Sequence, residues 1–193
     1  MATLVDVAFA VCTALDRAGT VGVLTGGSAA TYYFPERYLS LDVVFVLGVV
    51  RQREAVDEAM GSLGYYRASS GMYEHPDLTI TVEFPRGPLG IGRDLIQTWA
   101  TERRGDELLH IVTVTDCVRD RFMHFWAWND RSALELALAV AQRHSSRFDF
   151  DAFRTWTAAE QAADSSYPQE KVDEFFRRLA SSLSGPAQAT TET

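Results

Sequence analysis

Lysine is almost missing from this sequence. Of its 18 basic residues only Lys171 is a lysine, so any positively charged site must be built from arginine. The guanidinium fork suits bidentate phosphate contacts, although a GC-rich genome produces the same bias without function. Positive charge is scarce overall: 18 basic against 26 acidic residues give a net charge of -8. Such a surface on average repels nucleic acid, and no DNA partner is expected. Cysteine is also scarce. Cys12 and Cys117 lie in apolar helical surroundings without CxxC spacing, which predicts two reduced, buried thiols in a cytoplasmic protein. His75, His110, His124 and His144 show no metal-ligand spacing. No apolar run approaches the ~20 residues of a membrane helix, so no membrane association is expected. The apolar N-terminal stretch carries Asp6 and no basic n-region, unlike a signal peptide.

What is present is ordinary for a globular chain: 193 residues, 47% hydrophobic and 11% aromatic. That length predicts one compact domain, or one domain with a helical appendage. Apolar residues at helical spacing predict a helix over Leu4 to Arg17, ended by Ala18-Gly19. Val21 to Thr25 reads as a buried strand, Ala29 to Phe34 as a short helix stopped by Pro35, and Leu41 to Leu47 as an interior strand. Arg51 to Leu63 reads as a helix, and Tyr65 to Ala68 with Gly71 to Glu74 as a hairpin. Leu78 to Phe84 alternates as a strand with Glu83 on its polar side. The segment 85–92 reads as a turn-rich loop, and Leu109 to Val114 as a further strand.

After Thr115 the pattern becomes helical: Thr115 to Trp128, Ser132 to Arg143, Phe150 to Ala163 and Pro168 to Ser182. Thr115, Asp130 and Asp149 are candidate caps, and Ser132 with Glu135 has capping-box spacing. Trp126 and Trp128 read as core or seam packing. The expected class is α+β: a mixed α/β core over 1–114, a helical part over 115–184 packed on it, and a disordered tail over 185–193.

The most informative stretch is LTGGSAATYYFPERYLSLDVVFVL, residues 24–47. A strand delivers Gly26-Gly27-Ser28 to a helix start, where free N–H groups can meet a phosphate. Asp42 opens the neighbouring strand, where a carboxylate could hold Mg²⁺ against that phosphate. A tight strand–helix turn and a strand-end carboxylate are the plainer readings of the same residues.

The combination resembles the nucleotidyltransferases of the DNA polymerase β superfamily, and within it the AbiEii-like and MenT-like bacterial toxins. Gly26, Gly27, Ser28 and Ala29 match the turn, Arg37 the arginine, Ser40 the hydroxyl and Asp42 the first acid of an Asp-x-Asp pair. Glu83-Phe84-Pro85 matches the third carboxylate. The run Asp116 to Phe122 and then Trp128-Asn129-Asp130 matches the late basic residue and late aspartate, with Arg121 standing where relatives often carry lysine. Matches span roughly residues 20 to 145.

The resemblance implies a small mixed-sheet nucleotidyltransferase core with a C-terminal helical half. It implies a toxin of a toxin–antitoxin system that transfers a nucleoside monophosphate from an NTP to RNA and blocks translation. The implied acceptor is the tRNA 3′ end. Gly26, Gly27, Ser28, Arg37 and Arg121 would bind the nucleotide. Asp42 and Glu83 would hold Mg²⁺ or Mn²⁺, while Ser28, Asp42, Arg121 and Asp130 would serve catalysis. A cognate antitoxin is implied, with Ser28 and Ser40 as candidate phosphorylation sites. An RNA acceptor would need a local basic patch, for which Arg51, Arg53, Arg86, Arg93, Arg103 and Arg104 are candidates.

One departure stands out: the second acid of Asp-x-Asp is Val44. Three readings follow. They are an inactivating Asp→Val change, a catalytically dead homologue that binds NTP, RNA or a partner as a regulator, and a divergent site working with Asp42 and Glu83. Asp130 also reads as a plain helix cap, and Arg119 and Arg121 as surface arginines of a helix whose other face is core.

Overall fold

The computed structural model describes residues 2–48 and 53–184. Arg51, a candidate for the basic patch, and the tail expected over 185–193 lie outside the described residues. Helix α1, Leu4–Arg17, carries a full capping box in which Thr3 and Asp6 satisfy each other's backbone N–H groups. Strand β1, Gly22–Leu24, is buried throughout and leads into helix α2, Gly26–Tyr33. Strand β2, Asp42–Leu47, pairs antiparallel with β1. Helix α3, Arg53–Ser62, then delivers the hairpin of β3, Tyr66–Arg67, and β4, Tyr73–His75, followed by β5, Leu78–Glu83.

Two features fall where the sequence pattern predicts no strand. Short strands β6, Gly90–Ile91, and β7, Asp94–Leu95, make a separate hairpin. Strand β8, Ala100–Arg104, pairs antiparallel with β9, Glu107–Ile111, at a sheet edge. The main sheet has seven strands in the order β3-β4-β5-β2-β1-β9-β8. Its contacts are antiparallel except β2 with β5 and β1 with β9, which are parallel. The fold is therefore α+β with a mixed sheet.

Four helices complete the chain: α4, Val114–Trp128; α5, Arg131–Arg143; α6, Phe150–Ala163; and α7, Gln169–Ser184. Thr113, not Thr115, caps α4; the Thr115 hydroxyl instead accepts the Asp149 N–H at 2.9 Å. Asp130 caps α5, so the Ser132–Glu135 capping box does not form, and Glu135 pairs with Arg178 across to α7. Asp149 caps α6 as its position predicts.

Phe122 lies at the centre of the helical part. Its ring centroid is 5.2–6.4 Å from those of Phe125, Trp126, Phe153, Trp156 and Phe175. Lys171 reaches back from α7, its Nζ donating to the carbonyls of Phe125 at 3.0 Å and Trp126 at 3.1 Å. A cation there complements the negative end of α4. Arg119 fastens the β6–β7 hairpin to α4 through Asp94 and Asp116 while stacking on Trp156. Both cysteines are free and buried, and burial pushes the Cys12 thiol up to about 11.

Candidate functional site

The Gly-Gly-Ser stretch is the first turn of α2 rather than a loop before it. Gly26 takes φ +64°, a conformation that a residue with a Cβ adopts only at a cost. At Gly27 a Cβ would stand 3.0 Å from the Tyr38 hydroxyl and 3.3 Å from Ser40 Oγ, so a larger residue there would press on both side chains. Thr25, the N-cap, makes no side-chain cap bond. The positive end of α2 therefore lacks capping by Thr25 and faces the Tyr38–Ser40 segment.

Ser28 is fully buried. Its hydroxyl donates to the Thr25 carbonyl at 2.8 Å and accepts the Val44 N–H at 3.0 Å. As folded, the group expected on a phosphate instead ties α2 to β2. Ser28→Ala removes one of two donors to the Thr25 carbonyl, which keeps the Ala29 N–H at 3.2 Å, and leaves the part-buried Val44 N–H without its acceptor. A loss of about 1–3 kcal/mol in urea unfolding is expected, and an unchanged midpoint would show that the bridge is dispensable.

The parallel register of β2 and β5 sets Asp42 opposite Thr81 and Val44 opposite Glu83. Side chains alternate along strands, so Asp42, Val44 and Glu83 share one face of the sheet. Asp42 accepts a 2.7 Å hydrogen bond from Ser40 Oγ. Both Asp42 and Glu83 are half-buried, with Val44 between them in the register. Among the described residues no group of three or more His, Cys, Asp or Glu side chains is placed to hold a metal ion. A pair of carboxylates suits one Mg²⁺ completed by water and substrate phosphates. It does not suit a bridged pair of ions, because valine offers no donor.

On α4, Arg121 lies within electrostatic reach of Tyr38, whose hydroxyl stands against Gly27. Its guanidinium holds Asp120 through Nε at 2.9 Å and Nη2 at 2.6 Å, and Nη2 lies 3.4 Å from His124 Nε2. Burial, the largest influence, pushes the guanidinium down. The Asp120 charge and hydrogen bond, with Cys117 and Tyr38, outweigh it and leave Arg121 above its usual value. Asp130 uses Oδ1 to cap α5, accepting from Ser132 N, Ser132 Oγ and Ala133 N. Those hydrogen bonds hold its carboxyl below the usual range. Arg37 is exposed, with no ion pair or side-chain hydrogen bond among the described residues.

Three residues not singled out in the sequence join this group: Tyr38, Asp120 and His124. His124 stands three positions after Arg121, the spacing that places two helical residues on one face, which is the signal that could have found it. Trp128 corrects an expectation. It is 70% exposed, its ring 5.0 Å from that of His124, whereas Trp126 is buried as expected.

Burial first, and then the Arg121 charge, push the His124 imidazole down, against the opposing pull of Asp120 and Asp130. A histidine whose folded pKa lies below its unfolded value binds fewer protons when folded. Its contribution is therefore present above about pH 6.5 and lost as the pH falls below that. Urea midpoints compared at pH 7.5 and 5.5 should differ less in His124→Asn than in the parent; an equal difference would remove His124 as the source.

Three of the arginines expected in a basic patch have other surroundings. Arg104 is held by Asp6 and Glu107 beside the β8 edge. Arg53 and Arg86 line a different cavity, away from Asp42 and Glu83. No family model, curated protein or solved structure matches this chain.

Proposed function

We propose that this chain is a nucleotidyltransferase-type toxin, acting on an RNA acceptor and paired with an antitoxin. The supporting observation is the strand register that sets position 44 between Asp42 and Glu83, with its N–H bonded to the first turn of α2. In this reading the N–H groups of Gly26 and Gly27 orient the triphosphate, and Arg121 neutralises its charge. Mg²⁺, when bound at Asp42 and Glu83, supplies further charge neutralisation to the phosphates. An acceptor 3′ hydroxyl oxygen bonds to the α-phosphorus as the bond to the β-phosphate breaks. Glu83 takes the hydroxyl proton and pyrophosphate leaves. Such transfer depends mainly on positioning and electrostatics, so a lost carboxylate weighs heavily.

A second reading, a binding protein without catalysis, draws on two observations: Val44 itself and the Ser28 hydroxyl committed to backbone. Incubation with tRNA and each α-labelled NTP in Mg²⁺ separates the readings. Label on RNA supports the transferase; NTP binding without label, in this chain and in Val44→Asp alike, supports the second. Phosphorylation by an antitoxin at Ser28 or Ser40 would require local opening, since both hydroxyls are buried and donate internally.

A further inference from the structure

A second site lies on the other face of the sheet. Phe84 follows Glu83 and therefore points to the opposite side, where its ring stacks on Phe45. Tyr73, opposite Val82, and Arg67, opposite Tyr73, share that side by register. Together with Arg53, Val56 and Arg86 they line a cavity of about 520 Å³. That volume is within the range of small-ligand sites.

Among the described residues its lining includes three arginines and no acidic residue. Arg53, Arg67 and Arg86 make no ion pair or side-chain hydrogen bond among the described residues, in a chain whose other arginines are frequently paired with acids. The Asp57 carboxylate accepts a hydrogen bond from the Tyr73 hydroxyl. Three guanidiniums around one cavity repel one another, and a bound anion would relieve that repulsion. Phosphate fits their fork geometry, and the floor of Phe84, Tyr73 and Val56 is apolar.

We propose that this cavity binds a small organic phosphate with an aromatic portion, the phosphate on Arg53, Arg67 and Arg86 and the ring against Phe84 and Tyr73. The site is separate from the Asp42–Glu83 face, so it stands or falls independently of the transferase reading. Phenyl phosphate is a suitable probe, titrated by calorimetry or amide chemical shifts beside inorganic phosphate and benzyl alcohol.

Saturable binding is expected, tighter for phenyl phosphate than for either control. Affinity should fall about tenfold or more in Arg67→Gln and in Arg86→Gln, with thermal midpoints unchanged, and should be unaffected in Asp42→Asn. No saturable binding of phenyl phosphate overturns the proposal. So does equal affinity for inorganic phosphate or benzyl alcohol, unchanged affinity in both arginine variants, or loss of affinity in Asp42→Asn.

Discussion

Val44→Asp should raise transfer of labelled nucleotide to RNA by on the order of 10²–10³-fold, the size of effect that accompanies gain or loss of one transition-state charge contact. The substitution places a carboxylate between Asp42 and Glu83 on the same sheet face. Directly opposed like charges on neighbouring strands destabilise a sheet, so the new aspartate should lower the thermal midpoint in chelator. Mg²⁺ should restore it, because a ligand that binds only the folded form stabilises that form. Val44→Asn has nearly the same shape without the charge and should show neither effect. Two readouts thus bear on one residue, and only one of them requires knowing the acceptor. Should neither chain label RNA or protein, and should Mg²⁺ leave the Val44→Asp midpoint unmoved, the transferase reading fails.

The largest effect on stability is expected from Phe122→Ala, at about 3–5 kcal/mol. Phe122 is fully buried and meets rings from α4, α6 and α7. Truncation leaves a cavity that five aromatic neighbours are too rigid to fill, since close-packed interiors relax only in part. Urea unfolding followed by tryptophan fluorescence suits the test, because Trp126 and Trp156 lie beside the cavity. Phe122→Leu keeps most of the volume and should cost less. A loss under about 1 kcal/mol for Phe122→Ala would mean the helices are held by something other than this cluster. Arg121 and His124 ride on the same helix, so loosening it should disturb their contact as well.

Elements with a strong apolar period are legible in the order of residues alone. The α1 helix runs over Leu4–Arg17 as its spacing predicts, and β2 over Asp42–Leu47 within a residue of the expected bounds. Strand β8 is not legible in this way, because its residues Thr-Glu-Arg-Arg sit at a sheet edge with little burial on either face, so no alternation marks them. Trp128 departs from its expected burial for a related reason. Phe122, Phe125 and Trp126 follow the i, i+3, i+4 spacing of the core stripe, and position 128 falls off it. At the candidate site the sequence carries residue types and their order. It does not carry direction: whether Ser28 points at a ligand or at the Val44 N–H depends on where β2 settles beside α2.

The lone lysine acquires a different meaning from its position. Chemistry that seeks side-chain amines, from acylating reagents to enzymes that attach acyl groups or protein tags, finds a single target in this chain. That target is already occupied: the Lys171 amine donates to two carbonyls and lies 4.9 Å from the Phe125 ring centroid. Burial first, and then the nearby Arg131 charge, lower its proton affinity. Parting α7 from α4 frees the half-buried amine from both carbonyls, so a rise in amine reactivity reports on the docking of the last helix.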